Sequence, residues 1–317
     1  MLQLNQEVCM KVDDIFVQYY LFNMSSPVMI TFPPGCQYLT QENIDAGKSA
    51  WSFDFFTKQQ INVIACNHIG ADNYFDSPLF AEFINTLAIH LAQFPKRLGY
   101  GISRGGYAAS LYADTLGLDG ALLLMPLSTY NPTLAPWDIK VISANKQHPA
   151  TTERKDAANC STPLTIIYDP LSPADRKHAE RYGESVERIR LPGVGHRISR
   201  TLQALGILKS IVLMYQHGEI DKHYFYTEVR RRRQTSFYFK GLSVNPTKKL
   251  TLKRLGIIYY HQLRFKLMHI EQQPQKIACR WRDSLRKRCP TIVISYKWLS
   301  PLSNNHLMLA SGAFVFC

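Results

Sequence analysis

Nowhere in the 317 residues do about 18 apolar positions follow one another without interruption, which is the length a membrane-crossing helix requires. The opening stretch MLQLNQEVCMKVDDIF has no basic segment leading into a continuous apolar one, so no secretory signal is expected there. Both absences point to a cytoplasmic protein that meets a membrane, if at all, at its surface. The cysteines (Cys9, Cys36, Cys66, Cys160, Cys279, Cys289, Cys317) are odd in number and irregular in spacing, with no CxxC pair and no Cys/His spacing suited to zinc. A reduced compartment follows. There is no GxxxxGK[ST], no GxGxxG opening a helix after the first strand, and no HExxH, so neither a cofactor nor a metal is expected. Acid is scarce in one region only: residues 201–317 hold 5 Asp and Glu against 20 Lys and Arg, while residues 1–200 hold 19 against 17. The net charge of +13 therefore belongs to the C-terminal third and bears on that region's partners.

What is present is ample core material: 46% of the residues are apolar and 12% aromatic, which excludes disorder as the default state. Short apolar runs recur at PVMITF (27–32), INVIAC (61–66), KRLGYGI (96–102), GALLLMP (120–126), PLTIIYD (163–169) and VERIRLP (186–192). Bounded by Pro, Gly or Asn and rich in Val, Ile and Leu, they read as strands buried on both faces. Helix-length segments lie between them at 47–58, 79–93, 104–117, 173–183 and 197–215. The alternation predicts an α/β fold with a mainly parallel sheet covered by helices on both faces. Residues 1–26 suit an antiparallel edge hairpin, with a short helix as the alternative. Residues 127–160 carry two prolines within their first ten positions and little periodicity, and read as an excursion over the end of the sheet.

The pattern changes near residue 218, dividing the chain into a catalytic domain over 1–217 and a basic, largely helical C-terminal region over 218–317. That region holds VRRRRQ (229–234), then VNPTKKLTLKRLGIIYYHQLRFKLMHI (244–270), then CRWRDSLRKRC (279–289). In the middle segment Leu252, Leu255, Ile258, Tyr259, Leu263, Leu267 and Ile270 fall near a helical period, with Lys253, Arg254, Arg264 and Lys266 elsewhere on the wheel. A basic amphipathic helix is expected. Residues 229–289 suit an anionic membrane surface or an acidic glycan, or pack as a solvated basic appendage. Nucleic acid is disfavoured because no recognised binding module appears.

The chemistry centres on Gly101-Ile102-Ser103-Arg104-Gly105, a GxSxG pentapeptide placed between a strand-like run and a helix-like one. At a sharp strand-to-helix turn, side chains two residues either side of the serine would collide, which is why glycine stands there. Ser103 is thus a candidate nucleophile. A serine hydroxyl needs an imidazole to take its proton. His196, in LPGVGHRI after the last strand-like run, is the histidine placed to do so. The orienting acid should follow the strand between them, where IIYDPLSPADRKHAERY offers Asp169 and Asp175. Ser172, Pro173 and Asp175 look like a helix start, with Asp175 at the third position. That occupation leaves Asp169 as the favoured acid and Asp175 as the alternative. His68, Tyr74 and Trp137 are candidates to line the pocket.

With the order Ser, Asp, His and the strand-turn-helix around the serine, residues 27–215 resemble the α/β-hydrolase superfamily. The resemblance implies a serine esterase, lipase, thioesterase, peptidase or acyltransferase working through an acyl-enzyme, with hydrolysis of a carboxylic ester as the favoured reading. It also implies an oxyanion hole built from the Arg104 amide and an amide of the loop after VMITF. That loop reads Phe32-Pro33-Pro34-Gly35-Cys36, and since proline has no N–H the donor would be Gly35 or Cys36. Two departures stand out: this proline loop, and Ser172 at the position where Gly-x-x-Asp would place an acid. Two alternatives to hydrolysis remain, acyl transfer to a sugar or other alcohol, and a non-catalytic hydrolase fold that binds anionic surfaces or glycans.

Overall fold

The computed structural model of the chain describes residues 2–147, 154–183, 186–244 and 250–267. Two strands, β1 (Glu7–Val12) and β2 (Ile15–Tyr20), form the antiparallel hairpin expected near the N-terminus. β1 alternates exposed and half-buried residues, as an edge strand with one wet face does. The next strands are β3 (Val28–Phe32), β4 (Asn62–His68), β5 (Arg97–Ile102), β6 (Gly120–Leu124), β7 (Leu164–Tyr168) and β8 (Glu187–Arg190). Every residue of β3, β4, β6 and β7 is buried, which accounts for continuous apolar runs in place of alternation. The eight strands form one sheet in the order β1-β2-β4-β3-β5-β6-β7-β8, parallel from β4 to β8. This mostly parallel sheet, flanked by helices, is the α/β-hydrolase architecture that the sequence resemblance implies.

The helices are α1 (Gln41–Asp45), α2 (Phe53–Thr57), α3 (Pro78–Leu91), α4 (Arg104–Tyr112), α5 (Ile139–Gln147), α6 (Pro173–Arg181), α7 (Ile198–Ala204), α8 (Leu208–His217), α9 (Lys222–Glu228), α10 (Ser236–Val244) and α11 over 252–267. One face of the sheet packs on α3 and α4 through Phe80, Ile84, Leu87, Ala108, Ala109 and Tyr112. The opposite face packs on α2, α7, α8 and α9 through Phe56, Leu202, Ile211, Val212 and Phe225. A smaller cluster of Tyr107, Leu127, Tyr130 and Val141 lies beneath the 127–147 excursion. Three readings need adjustment. The segment 197–215 is two helices, parted where Gly206 turns left-handed at φ 75°. Helix-length 47–58 contains only the short α2, and the excursion contains α5, whose sole buried residues are Val141 and Ala144.

Residues Met1–Gln262 make one compact unit and Leu263–Cys317 another. Phe225 and Val229 are buried in the core of the first unit, so the chain after residue 218 continues it. The arginine run forms a 3-10 turn, Val229–Gln234. In α11 Ile258 is buried, while Leu252 and Tyr259 are exposed. Of the second unit only the helical residues 263–267 are described, and the 279–289 cluster lies outside the described residues.

Reversal of the strand order at β3 leaves a crevice beyond the carboxyl ends of β3 and β5, the usual place for a site in an open α/β sheet.

Candidate active site

Ser103 stands at the junction of β5 and α4 with φ 55° and ψ −111°, a conformation that costs a non-glycine residue about 1–3 kcal/mol. Its amide is held by the Leu124 carbonyl at 2.9 Å, and its carbonyl receives the Tyr107 amide at 3.1 Å. The flanking glycines permit the turn. A Cβ on Gly101 would lie 2.2 Å from the Gly105 carbonyl oxygen, and one on Gly105 would lie 2.0 Å from that of Phe32. Both obstructions are backbone, so neither can swing aside.

The hydroxyl of Ser103 lies 2.8 Å from Nε2 of His196, and Nδ1 of His196 lies 2.6 Å from Oδ1 of Asp175. About a quarter of the imidazole side chain is open to solvent, whereas Asp175 is buried. The acid beside the ring is therefore Asp175 and not the favoured Asp169. Ser172 makes no side-chain cap, and Asp175 lies in the first turn of α6, where its negative charge is favoured. Asp169 is spoken for elsewhere. Its Oδ1 accepts the Leu171 amide at 2.8 Å, and its Oδ2 accepts those of Val194 and Gly195 at 2.7 and 2.6 Å. Asp169 thus fastens the loop that presents His196 to the end of β7.

A cavity of about 420 Å³ opens over Ser103 and His196. Gly35, Cys36 and Arg104 line it, as does Tyr74. Among the described residues the amides of Gly35, Cys36 and Arg104 make no hydrogen bond, leaving them free to face a developing negative charge. The Arg104 side chain is held against the Ala71 and Asn73 carbonyls and over the Tyr74 ring, 4.2 Å from its centroid. His68 does not line the cavity. It is fully buried, with its ring edge-on to Phe75 and Nε2 3.4 Å from the Gly35 carbonyl, beneath the proline loop. Burial, together with the charge of Arg104, pushes its imidazole down to about 4, and the Gly35 contact opposes that shift. Trp137 also lies away from the cavity, packed by His178 and by Lys177.

Several lining residues were not foreseen from sequence: Met125, Tyr130, Lys140, Arg197 and Arg200. A buried network was also missed. His178 Nδ1 receives the Ser128 amide at 3.0 Å and lies 2.9 Å from the Ser128 hydroxyl, while its Nε2 is 3.0 Å from Asp138. Because Nδ1 already accepts a backbone N–H, this Ser-His-Asp set joins the excursion to α6 and leaves no free base. His178 follows Asp175 by three residues, a spacing that is readable in sequence, but its partners come from a distant loop.

Among the described residues no group of His, Cys, Asp and Glu is arranged to hold a metal ion, and no helix is long and apolar enough to cross a membrane. No family model matches the chain, and no curated protein matches it. Solved structures similar to it include a sugar hydrolase from Lactococcus lactis, at 12% identity over 67% of this chain and 97% of that one with a TM-score of 0.45. An esterase from Pyrobaculum calidifontis is similar at 13% identity over 68% and 84%, with a TM-score of 0.46. The capsule O-acetyltransferase of Neisseria meningitidis serogroup A is similar at 12% identity over 65% and 93%, with a TM-score of 0.44.

Proposed function

We propose that the protein is a serine hydrolase that cleaves a carboxylic ester through an acyl-enzyme on Ser103. The observation that carries this reading is the run of short contacts from the Ser103 hydroxyl through His196 to the buried Asp175, on a serine held in a strained turn. The Asp175 carboxylate accepts a hydrogen bond from Nδ1–H of His196, which leaves Nε2 free to take the proton of Ser103 as Oγ attacks the ester carbonyl. The carbonyl oxygen gains charge and is met by the Arg104 amide and that of Gly35 or Cys36. His196 then returns its proton to the departing alkoxide. A water molecule, deprotonated by the same nitrogen, attacks the acyl-enzyme and frees the acid and Ser103. The partial solvent exposure of His196 favours water over a second alcohol as the acceptor.

A fluorophosphonate probe tests the reading, because it reacts with a serine only where a base activates it. Rapid labelling of the wild type, lost in both Ser103→Ala and His196→Ala, is expected. A folded wild type that resists the probe overturns it.

A further inference from the structure

We infer that the ester taken by this site carries an anionic group, a carboxylate or a phosphate, within reach of Arg197, Arg200 and Lys140. This rests on the reading of Ser103 as the nucleophile and adds the charge of its substrate.

The cavity is lined by four basic side chains, Arg104, Lys140, Arg197 and Arg200, and among the described residues by no Asp or Glu. All four come from residues 1–200, where acids outnumber bases by 19 to 17. The basicity of the C-terminal third is not their source. Positive charge has been gathered here against the average of its own region.

Their positions are unfavourable for stability. Arg104 opens α4, Lys140 is second in α5, Arg197 caps α7 and Arg200 is third in it. The N-terminal end of a helix already carries partial positive charge, and acids are the residues that stabilise it. Two helices, α4 and α7, thus begin at the cavity with a cation where an acid would be preferred, while α5 opens on Asp138, whose carboxylate accepts the Lys140 amide. Residues that break a local rule without a compensating contact mark function.

Arg104 has such contacts in the Ala71 and Asn73 carbonyls and the Tyr74 ring, whereas among the described residues Lys140, Arg197 and Arg200 have no anionic partner. Some cations outside the cavity are paired, as in Arg97 with Asp119, Arg154 with Asp76 and Arg181 with Asp156. Among the described residues Lys140, Arg197 and Arg200 form no ion pair. The acids that Lys140 senses, Asp175 and Asp138, are committed to His196 and His178. Arg197 and Arg200 are exposed, and a guanidinium's planar fork suits a carboxylate or phosphate arriving from solvent.

Two matched ester pairs test the inference. The first sets 4-nitrophenyl hexanoate against the 4-nitrophenyl monoester of adipic acid, placing a carboxylate on the acyl side. The second sets acetylglycerol against acetylglycerol phosphate, placing a phosphate on the alcohol side. In at least one pair the charged ester should have a kcat/KM about tenfold higher or more, and the advantage should shrink in 0.5 M salt, where charges are screened. Equal use within both pairs overturns the inference. In Arg197→Gln/Arg200→Gln the charged ester should lose about tenfold more kcat/KM than the neutral one, while equal losses on both overturn it. Arg200→Glu separates recognition from folding. It should reverse the preference while holding or raising the melting temperature, since it places an acid in the first turn of α7. Binding of both ester pairs to Ser103→Ala, read by equilibrium titration, keeps the test independent of the nucleophile. Tighter binding of the charged ester in at least one pair supports the inference even if labelling of Ser103 fails, and equal binding within both pairs overturns it even if labelling succeeds.

Discussion

Replacing Asp175 by asparagine changes one atom of the carboxylate that touches His196. The effect on catalysis should nevertheless be large, for two separable reasons. As Ser103 attacks, the imidazole becomes a cation beside a buried carboxylate 2.6 Å away, atom to atom. With charge centres about 4 Å apart and an effective dielectric of about 20, that pair is worth about 4 kcal/mol, or roughly a thousandfold in rate. The amide also offers an N–H to Nδ1, which stabilises the tautomer with its proton on Nε2, where Ser103 needs an acceptor. Together they predict a fall in kcat of about 10³–10⁴, the range expected when the orienting acid of such a triad becomes an amide. Burst and steady-state hydrolysis of a 4-nitrophenyl ester would measure it, with thermal unfolding to establish that the variant is folded. Asp169→Asn is the control, because it disturbs the loop amides and not the ring. Its loss should be smaller, about 10–100-fold, and accompanied by a lower melting temperature. If Asp175→Asn retained more than a tenth of wild-type kcat while Asp169→Asn abolished it, the assignment of the acid would be refuted.

Other expectations concern stability. Gly105→Ala drives a methyl group against the Phe32 carbonyl and should cost about 3 kcal/mol, lowering the melting temperature by about 6–12 °C; an unchanged melting curve would contradict the close approach. His68 has a folded pKa of about 4 against an ordinary 6.5, so between those values the unfolded chain binds more protons than the folded one. Its contribution is present in full above pH 6.5 and is lost as pH falls toward 4, about 3 kcal/mol in all. Urea denaturation across that window should show the decline in wild type and a flatter profile in His68→Leu. His178→Leu leaves the buried Asp138 carboxylate without its ring partner and should cost about 3 kcal/mol or more in the same assay. A loss below about 1 kcal/mol would mean that water replaces the imidazole there.

The strands were legible because burial on both faces leaves little but Val, Ile and Leu in runs such as ALLL and LTII. Ser103 and His196 were legible because each sits in a local pattern, glycine-serine-glycine after a strand and a glycine-flanked histidine after another. The acid was not. Asp169 and Asp175 lie six positions apart, and the choice between them turns on where residues 192–196 cross β7, since the amides of Val194 and Gly195 claim Asp169 from a distant segment. Nor could the ring of cations be read from spacing, because Arg104, Lys140 and Arg200 meet only once three separate helices converge. The break at Gly206 was hidden by apolar residues that continue in phase from α7 into α8.

Helix α6 directs Asp175 toward His196 and, one turn later, His178 toward Asp138, immediately before α5, whose Lys140 and Ala144 border the cavity. The part that shapes the pocket and the part that sets the base are therefore anchored to the same short rod. A segment grafted over 127–147 to alter selectivity would also shift the phase of that rod, and with it the proton's path. Selectivity and turnover in this protein are not independently tunable, and substitutions that change one should be found together with compensating changes on α6.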